Sequence, residues 1–272
     1  MRKVLVVILL LLTSFWTFAG GNTEDYPIKV RENVTIPDGE HLHYTMYSGG
    51  EEVGEVEIIT RISEDNIAET KVKIWDTPYS DTSLPPYKFI EVRFNLGTGS
   101  MTYYKTTVDD YYIEEENYHG IIFEEINVSD NIIGLRKYWD GYEFKESRIR
   151  IKNIKVDYPI WEWESLLYYG ARLLDWQQGG YYYVWVRGFL KDPARGGFKV
   201  IGKETLSTEI GKIKSLKVVS TVADPFVGKL VKQFTDNMQF WFEEGGSGKL
   251  LKFHADALQR IIVLDKVDII KD

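Results

Sequence analysis

The chain contains no cysteine among its 272 residues, and only four histidines and eight prolines. Without a thiol there can be no disulfide, no thiolate metal site, no cysteine nucleophile and no lipid-bearing cysteine of a lipobox. Basic charge of the kind nucleic acid attracts is also lacking. The formal net charge is −8, which argues against nucleic acid or an anionic membrane surface as the main partner. After Leu12 no stretch approaches the ~18 consecutive apolar residues of a membrane-crossing helix. Common catalytic signatures are missing too: there is no Gly-x-Ser-x-Gly elbow, no His-Glu-x-x-His pair and no Gly-x-Gly-x-x-Gly after a strand. Gly245-Gly246-Ser247-Gly248-Lys249 looks like a phosphate loop only at first sight. Glu243 stands where a Walker sequence needs its first glycine and Leu250 where it needs Ser or Thr, so a hairpin turn is the better reading.

What is present begins with an address. Met1-Arg2-Lys3 is cationic, Val4 to Leu12 is an unbroken apolar run, and Thr17-Phe18-Ala19 places small residues at a cleavage position. This is the layout of a secretory signal peptide over residues 1–19, with an uncleaved anchor as the competing reading. Cleavage would remove Arg2 and Lys3 and leave an acidic mature protein, periplasmic or extracellular. With no cysteine to acylate, it is expected to be soluble rather than a lipoprotein. Residues 20–38 read as an extended segment, and 39–272 as one β-rich domain, with a sub-lobe boundary near 158 as the alternative.

Alternation dominates this domain. In His41–Tyr47, Leu42, Tyr44 and Met46 point one way and His41, His43 and Thr45 the other. The same period-two pattern recurs through Val56 and Ile58, through Val72 and Ile74, and through Ile90, Val92 and Phe94. Shorter strands are expected at Tyr111–Glu115, Ile121–Ile126, Ile132–Tyr138 and Phe144–Val156, and later ones at Tyr181–Phe189, Phe198–Thr205, Leu216–Val222, Asn237–Glu243, Lys249–Phe253 and Ile261–Ile270. The spacing indicates an antiparallel meander with one packed and one wet face. The period changes once: Trp163, Leu166, Leu167, Gly170, Leu173 and Leu174 fall at helical intervals, predicting an amphipathic helix over Trp161–Trp176. The fold class expected is therefore mostly β (α+β), a sheet with one amphipathic helix against it.

Chemistry-bearing clusters are few. His41 and His43 share a strand face and could present two imidazoles to one metal, but a solvated face is the simpler account, and neither a metal nor a cofactor is assigned. Asp109-Asp110, Glu114-Glu115-Glu116 and Glu124-Glu125 read as a solvated acidic edge rather than a catalytic pair or calcium loop. Asn33-Val34-Thr35 and Asn127-Val128-Ser129 match glycosylation sequons, a short pattern that arises often by chance. Aromatic residues are the positive feature. Tyr181, Tyr183 and Trp185 fall on one strand face, and Trp161, Trp163, Tyr168, Tyr169 and Trp176 crowd the expected helix. Packing explains them by default. A functional version would be an apolar cleft between sheet and helix.

Several segments together resemble a family of exported bacterial proteins, domain of unknown function 3108. They are Gly39-Glu40-x-Leu42-x-Tyr44 continuing to Gly50 and Gly54, Ser165-Leu166-Leu167-Tyr168-Tyr169 with Arg172 and Gly180-Tyr181-Tyr182, Gly202-Lys203-Glu204 with Gly211 and Leu216-Lys217-Val218, and Phe240-Trp241-Phe242 with Leu250-Leu251-Lys252. The resemblance implies a large curved antiparallel sheet or open half-barrel wrapping helical material, similar to periplasmic lipoprotein carriers. It supplies no catalytic residues. The expected function is non-enzymatic binding of a lipid, an acylated protein or another envelope component in a cleft lined by Leu42, Tyr44, Met46, Val56, Ile58, Trp163, Leu166 and Leu167. An envelope scaffold acting through protein contacts is the alternative, and a glycan-binding or glycan-cleaving protein a more distant one.

Overall fold

A computed structural model describes residues 31, 35–76, 84–114, 118, 120–128, 132–139, 143–151, 160–162, 169–176, 181–187, 194–222, 238–256 and 259–270. Among these described residues, fifteen strands form one sheet. In chain order they are β1 (Glu40–Ser48), β2 (Glu51–Ile62), β3 (Ile67–Ile74), β4 (Lys88–Asn95), β5 (Met101–Val108), β6 (Gly120–Val128), β7 (Ile132–Trp139), β8 (Phe144–Ile151), β9 (Ile160–Glu162), β10 (Tyr181–Arg187), β11 (Ala194–Thr208), β12 (Gly211–Val222), β13 (Met238–Glu243), β14 (Leu250–Ala255) and β15 (Arg260–Ile269). Successive strands pair antiparallel from β1 through to β8 and again from β10 through to β15, and β9 adds to β10 in parallel. The two meanders join where β1 pairs with β15, so the first and last strands lie in the middle of the sheet and β8 and β9 form its edges.

That order forces curvature. A flat array of this many strands would be roughly 67 Å wide at ~4.8 Å per strand. Yet the edges are consecutive in the chain, and the link from Ile151 to Ile160 can span at most roughly 32 Å. The sheet must curl to bring them that close, and β9 accordingly comes up against β5. It does not close: β8 and β9 are not paired with each other.

The alternation seen in the sequence sorts the two faces. On β1, Leu42, Tyr44 and Met46 are buried on the concave side, and their neighbours across β2 and β15, Ile58, Val56, Leu264 and Ile262, are buried with them. Val72, Ile74, Ile90, Val92, Phe94, Tyr104, Val218, Phe240 and Phe253 continue the same core. Burial on one face at every second position is what a hydrophobic drive of about 25 cal/mol per Å² produces in a pleated sheet.

The expected mostly β (α+β) class is corrected: the described residues are nearly all antiparallel strand in an open sheet with no amphipathic helix against it, and two expected elements change with it. The amphipathic helix over Trp161–Trp176 is absent from the described residues: Ile160–Glu162 is the strand β9, and of 169–176 only Gly170–Leu173 is helical, as a single 3-10 turn. Residues 163–168 lie outside the described residues. The helical spacing misled because Gly170, Ala171, Arg172 and Leu173 are all buried, so no wet face exists to complete an amphipathic helix. The backbone leaves the helical region at Leu174, and the Leu173 carbonyl accepts from the Arg31 amide at 2.9 Å instead of from a continuing helix. The second correction concerns Tyr111–Glu115, expected as a strand. Asp110–Glu114 is a short helix, α1, started by Asp109, whose Oδ1 accepts from the Tyr111 amide at 3.1 Å. Tyr112 then points inward and its hydroxyl donates to the Pro85 carbonyl at 2.6 Å.

The β1–β15 seam carries a bulge between His43 and Tyr44, which leaves Asp265 without a partner residue on β1. The Thr45 hydroxyl donates to its carboxylate. Partial burial raises the Asp265 pKa above the usual aspartate value; the Thr45 bond opposes this, while Glu209 and Glu52 add to it. The folded state therefore holds this proton more tightly than the unfolded chain does. The associated stability is present at low pH and is lost as pH rises from the unfolded pKa through the folded one. Asp265→Asn keeps an acceptor for Thr45 and should raise stability near neutral pH by about 0.5 kcal/mol, solvent screening included, with no gain near pH 3. Urea denaturation at the two pH values measures this.

Candidate functional site

Among the described residues, two places bring chemically distinctive side chains together, one on each face of β1. On the concave side, residues 169–176 run inside the curl as a plug. Tyr169, Leu173, Leu174 and Trp176 are buried there. The Tyr169 ring stacks on Phe94 at 5.0 Å, and the Trp176 ring on Phe242 at 5.5 Å. Trp176 also meets Phe198 edge-on, and its indole N–H donates to the Ala171 carbonyl at 2.8 Å. Aromatic pairs in these arrangements add about 0.5–1.5 kcal/mol each beyond the area they bury.

In the middle of this apolar plug sits a charge. Arg172 is only 1% exposed, and its guanidinium forms a two-pronged pair with Glu40, itself 2% exposed, at 2.6 and 3.0 Å. Its Nε donates to the Ser247 carbonyl at 2.9 Å, and its plane lies 5.5 Å from the Tyr169 ring. Burial by itself would lower the Arg172 pKa, but the adjoining Glu40 carboxylate raises it above the usual value. Thus strand β1, the plug and the β13–β14 hairpin meet at one ion pair. Two glycines make the approach possible. Gly39, just before Glu40, has φ +74°, and a Cβ there would fall on the Ile270 carbonyl. Gly248, at φ +65°, would place a Cβ 3.0 Å from the Arg172 carbonyl oxygen.

Of the residues expected to line a cleft, Leu42, Tyr44, Met46, Val56 and Ile58 are brought together on the concave face of β1 and β2, at 0–2% exposure. Tyr44 also donates its hydroxyl to the Leu250 carbonyl at 2.9 Å. Trp163, Leu166 and Leu167 lie outside the described residues. So do the side chains of Tyr181, Tyr183 and Trp185, although their segment is strand β10. Sequence reasoning missed Glu40 and Arg172 as partners. The available signal was phase: Glu40 occupies the inward register of Leu42, Tyr44 and Met46, and Arg172 interrupts an apolar stretch.

The acidic stretch is less solvated than expected. Asp109 starts α1, and Glu124 is buried on the concave face of β6 and accepts from Arg136 Nε at 2.5 Å. Its neighbour Glu125 faces the other way, accepting from the Tyr103 hydroxyl at 3.0 Å. Burial and that carboxylate push the Tyr103 pKa up to about 12. Gly245–Gly248 is indeed a hairpin loop, between β13 and β14, and Lys249 is spent on Glu243 at 2.9 Å.

On the convex face of β1, the His41 and His43 rings lie 4.0 Å apart between centroids. His41 stands opposite Asp268 on β15, and the ligating atoms of His41, His43 and Asp268 all fall within 4.8 Å of one another. His41 Nε2 bonds Glu57 Oε1 at 2.8 Å, and the other Glu57 oxygen accepts from Lys73 at 2.6 Å. Lys266 holds Asp268 Oδ2 at 2.5 Å.

No protein-family model matches the chain, and no curated protein matches it. Three solved structures resemble its path. A β-barrel-like protein of domain of unknown function 1849 from Brucella abortus has TM-score 0.42 at 10% identity, covering 85% of this chain and 98% of its own. A protein from Bacteroides fragilis, described as exported with a YmcC-like fold, has TM-score 0.34 at 9% identity over 85% of this chain and 96% of its own. A protein from Parabacteroides distasonis, described as a lipoprotein, has TM-score 0.28 at 9% identity over 90% of this chain and 100% of its own. None of the three is described as domain of unknown function 3108, and likenesses this distant carry no argument about function. No helix among the described residues is long and apolar enough to cross a membrane.

The ion pair generates a test by double substitution. Arg172→Met alone or Glu40→Leu alone strands a buried charge and should lower stability by about 3–5 kcal/mol. Replacing both should cost far less than the sum of the two, because no charge is then left without its partner. Denaturant midpoints of the three variants measure the coupling.

Proposed function

We propose that the protein is an exported, non-enzymatic component of the bacterial envelope that holds an apolar or acylated ligand inside its curled sheet. The observation that supports this reading is how the concave face is filled. From β1 to β5 and again from β11 to β15 it is lined with apolar side chains, and the described residue set shows it filled by an inserted piece of chain, 169–176, rather than by a second sheet layer. Apolar attraction is not directional, so a surface that accepts Leu173, Leu174 and Trp176 accepts an acyl chain by the same physics. Leu42, Tyr44, Met46, Val56 and Ile58 form the sheet side of this lining, and Trp163, Leu166 and Leu167 lie next to the plug in sequence. The ligand would enter by displacing or flanking the plug. Residues 1–19 support export, and the short segments shared with domain of unknown function 3108 support a place in that exported family.

One observation favours a second reading, an envelope scaffold that acts through its outer surface. Arg172 fastens the plug to Glu40 and to the Ser247 carbonyl, and withdrawing it from both is expensive. A plug that never leaves would make the interior a core. The two readings separate in native mass spectrometry of protein purified from the envelope of a Gram-negative host, with a fluorescent fatty acid as added probe. A carrier retains a lipid or takes up the probe, and Ile58→Trp, which fills the lining, lowers uptake at least tenfold. A scaffold shows no uptake, even in the Arg172→Met/Glu40→Leu protein, and co-purifies with an envelope protein. Export is read from the same spectra: the exported species should lack the mass of residues 1–19.

A further inference from the structure

We propose that His41, His43 and Asp268 form a site for a divalent transition-metal ion, of the Zn2+ class, on the convex face at the seam between β1 and β15. The placement follows from strand geometry. Residues two apart on one strand share a face, which puts both imidazoles outward. Residues directly opposite on paired antiparallel strands have Cβ atoms about 4.5–5.5 Å apart, which puts Asp268 beside His41. The bulge after His43 keeps the outward register of β15 in step with the two histidines while turning Leu264 inward against Tyr44. As a result the three ligating atoms lie within 4.8 Å of one another, close enough for a single ion to bridge with small side-chain movements.

The donor set chooses the class of ion. Two imidazoles and one carboxylate suit Zn2+, Ni2+ or Co2+, whereas Ca2+ and Mg2+ call for oxygen ligands. Glu57 supplies the outer support such sites use. With His41 donating its Nε2–H to Glu57, the ring keeps its lone pair on Nδ1 for a metal, in a carboxylate–histidine–metal arrangement. Lys73 holds the far oxygen of Glu57 and fixes that carboxylate in turn. Lys266 is the opposing element, because its ammonium grips Asp268. Its side chain is 63% exposed, so an arriving dication can displace it into water. Three protein ligands leave a fourth position for water or for a donor from another molecule. Because the ligands come from the first and last strands in chain order, the ion would clip the two meanders together and stabilise the folded state by an amount that grows with the logarithm of its concentration over the dissociation constant.

The test uses the purified protein with no affinity tag, stripped with chelator and then titrated with Zn2+ by calorimetry and with Co2+ by visible absorption. One ion per chain is expected. His41→Ala and His43→Ala should each weaken Zn2+ binding at least tenfold and abolish the Zn2+-dependent rise in melting temperature. Asp268→Asn should weaken it about tenfold, and His254→Ala, on β14 away from the cluster, should leave it unchanged. Glu57→Gln, a change in a positioning residue, should weaken binding less than the histidine variants and leave the Co2+ band positions in place. Melting temperatures of the metal-free variants within a few degrees of the parent show that the fold survives each change. The proposal is overturned if Zn2+ binds with an affinity insensitive to His41→Ala and His43→Ala, if binding follows His254 instead, or if no ion binds at micromolar concentration.

Discussion

A guanidinium excluded from water needs a carboxylate, and in this protein that requirement ties three distant stretches of chain together. Arg172 lies on the plug, Glu40 opens the first strand 132 residues earlier, and the Ser247 carbonyl belongs to a hairpin 75 residues later. Packing alone would hold the plug loosely in register, because Leu173, Leu174 and Trp176 could find apolar neighbours in several positions along the concave face. A two-pronged ion pair cannot slide, since any shift leaves two charges without partners in a medium that solvates them poorly. The pair contributes position more than net stability. The glycines beside it follow from the same demand: Gly39 and Gly248 stand where a side chain would collide with the backbone that must approach.

Topology extends this constraint over the whole sheet. Because β1 and β15 are neighbours, the sheet's centre is built from the first and last strands, and neither meander can pair the outer edge of its terminal strand there without the other. Contacts of such long sequence separation form late and slowly, since the entropy of closing the loop must be met before they contribute. Glu40 stands at the first position of this seam, so the same few residues anchor the plug and join the halves. The edges are joined in the opposite way, by a link too short to let them spread, which is why the sheet curls around its plug.

Against this background, what could be read from the residues has a physical pattern. Strands with one wet face were legible nearly to the residue: alternation marked His41–Tyr47 where Glu40–Ser48 forms, and Ile90, Val92 and Phe94 where Lys88–Asn95 forms. Alternation records a difference between two environments, and it works where those environments are water and core. It fails where a segment is enclosed on all sides. Gly170 to Leu173 are all buried, so helical spacing among the leucines carried no information about a helix axis. Tyr111 and Tyr112 failed for a related reason. A single capping carboxylate, Asp109, outweighed the intrinsic strand preference of two tyrosines. The ion pair was illegible as a pair because a lone Glu and a lone Arg read by default as exposed, and nothing local links two positions so far apart.

The two faces of β1 show how one strand can serve separate ends without conflict. Inward, Glu40, Leu42, Tyr44 and Met46 fix the plug and the core. Outward, His41, His43 and Thr45 meet Asp268, Glu57 and Asp265. Alternation alone would keep the two sets apart, but it would also lock the outward partners on β15 to whatever register the core demanded. The bulge after His43 breaks that lock. By letting β15 run one residue ahead, it sets Leu264 against Tyr44 on the inside while Lys266 and Asp268 stay opposite the histidines on the outside, and it turns Asp265 toward Thr45. A regular ladder would align one face at the expense of the other. One extra residue lets the core and the polar face each be aligned, at the strand pair on which both halves of the sheet depend.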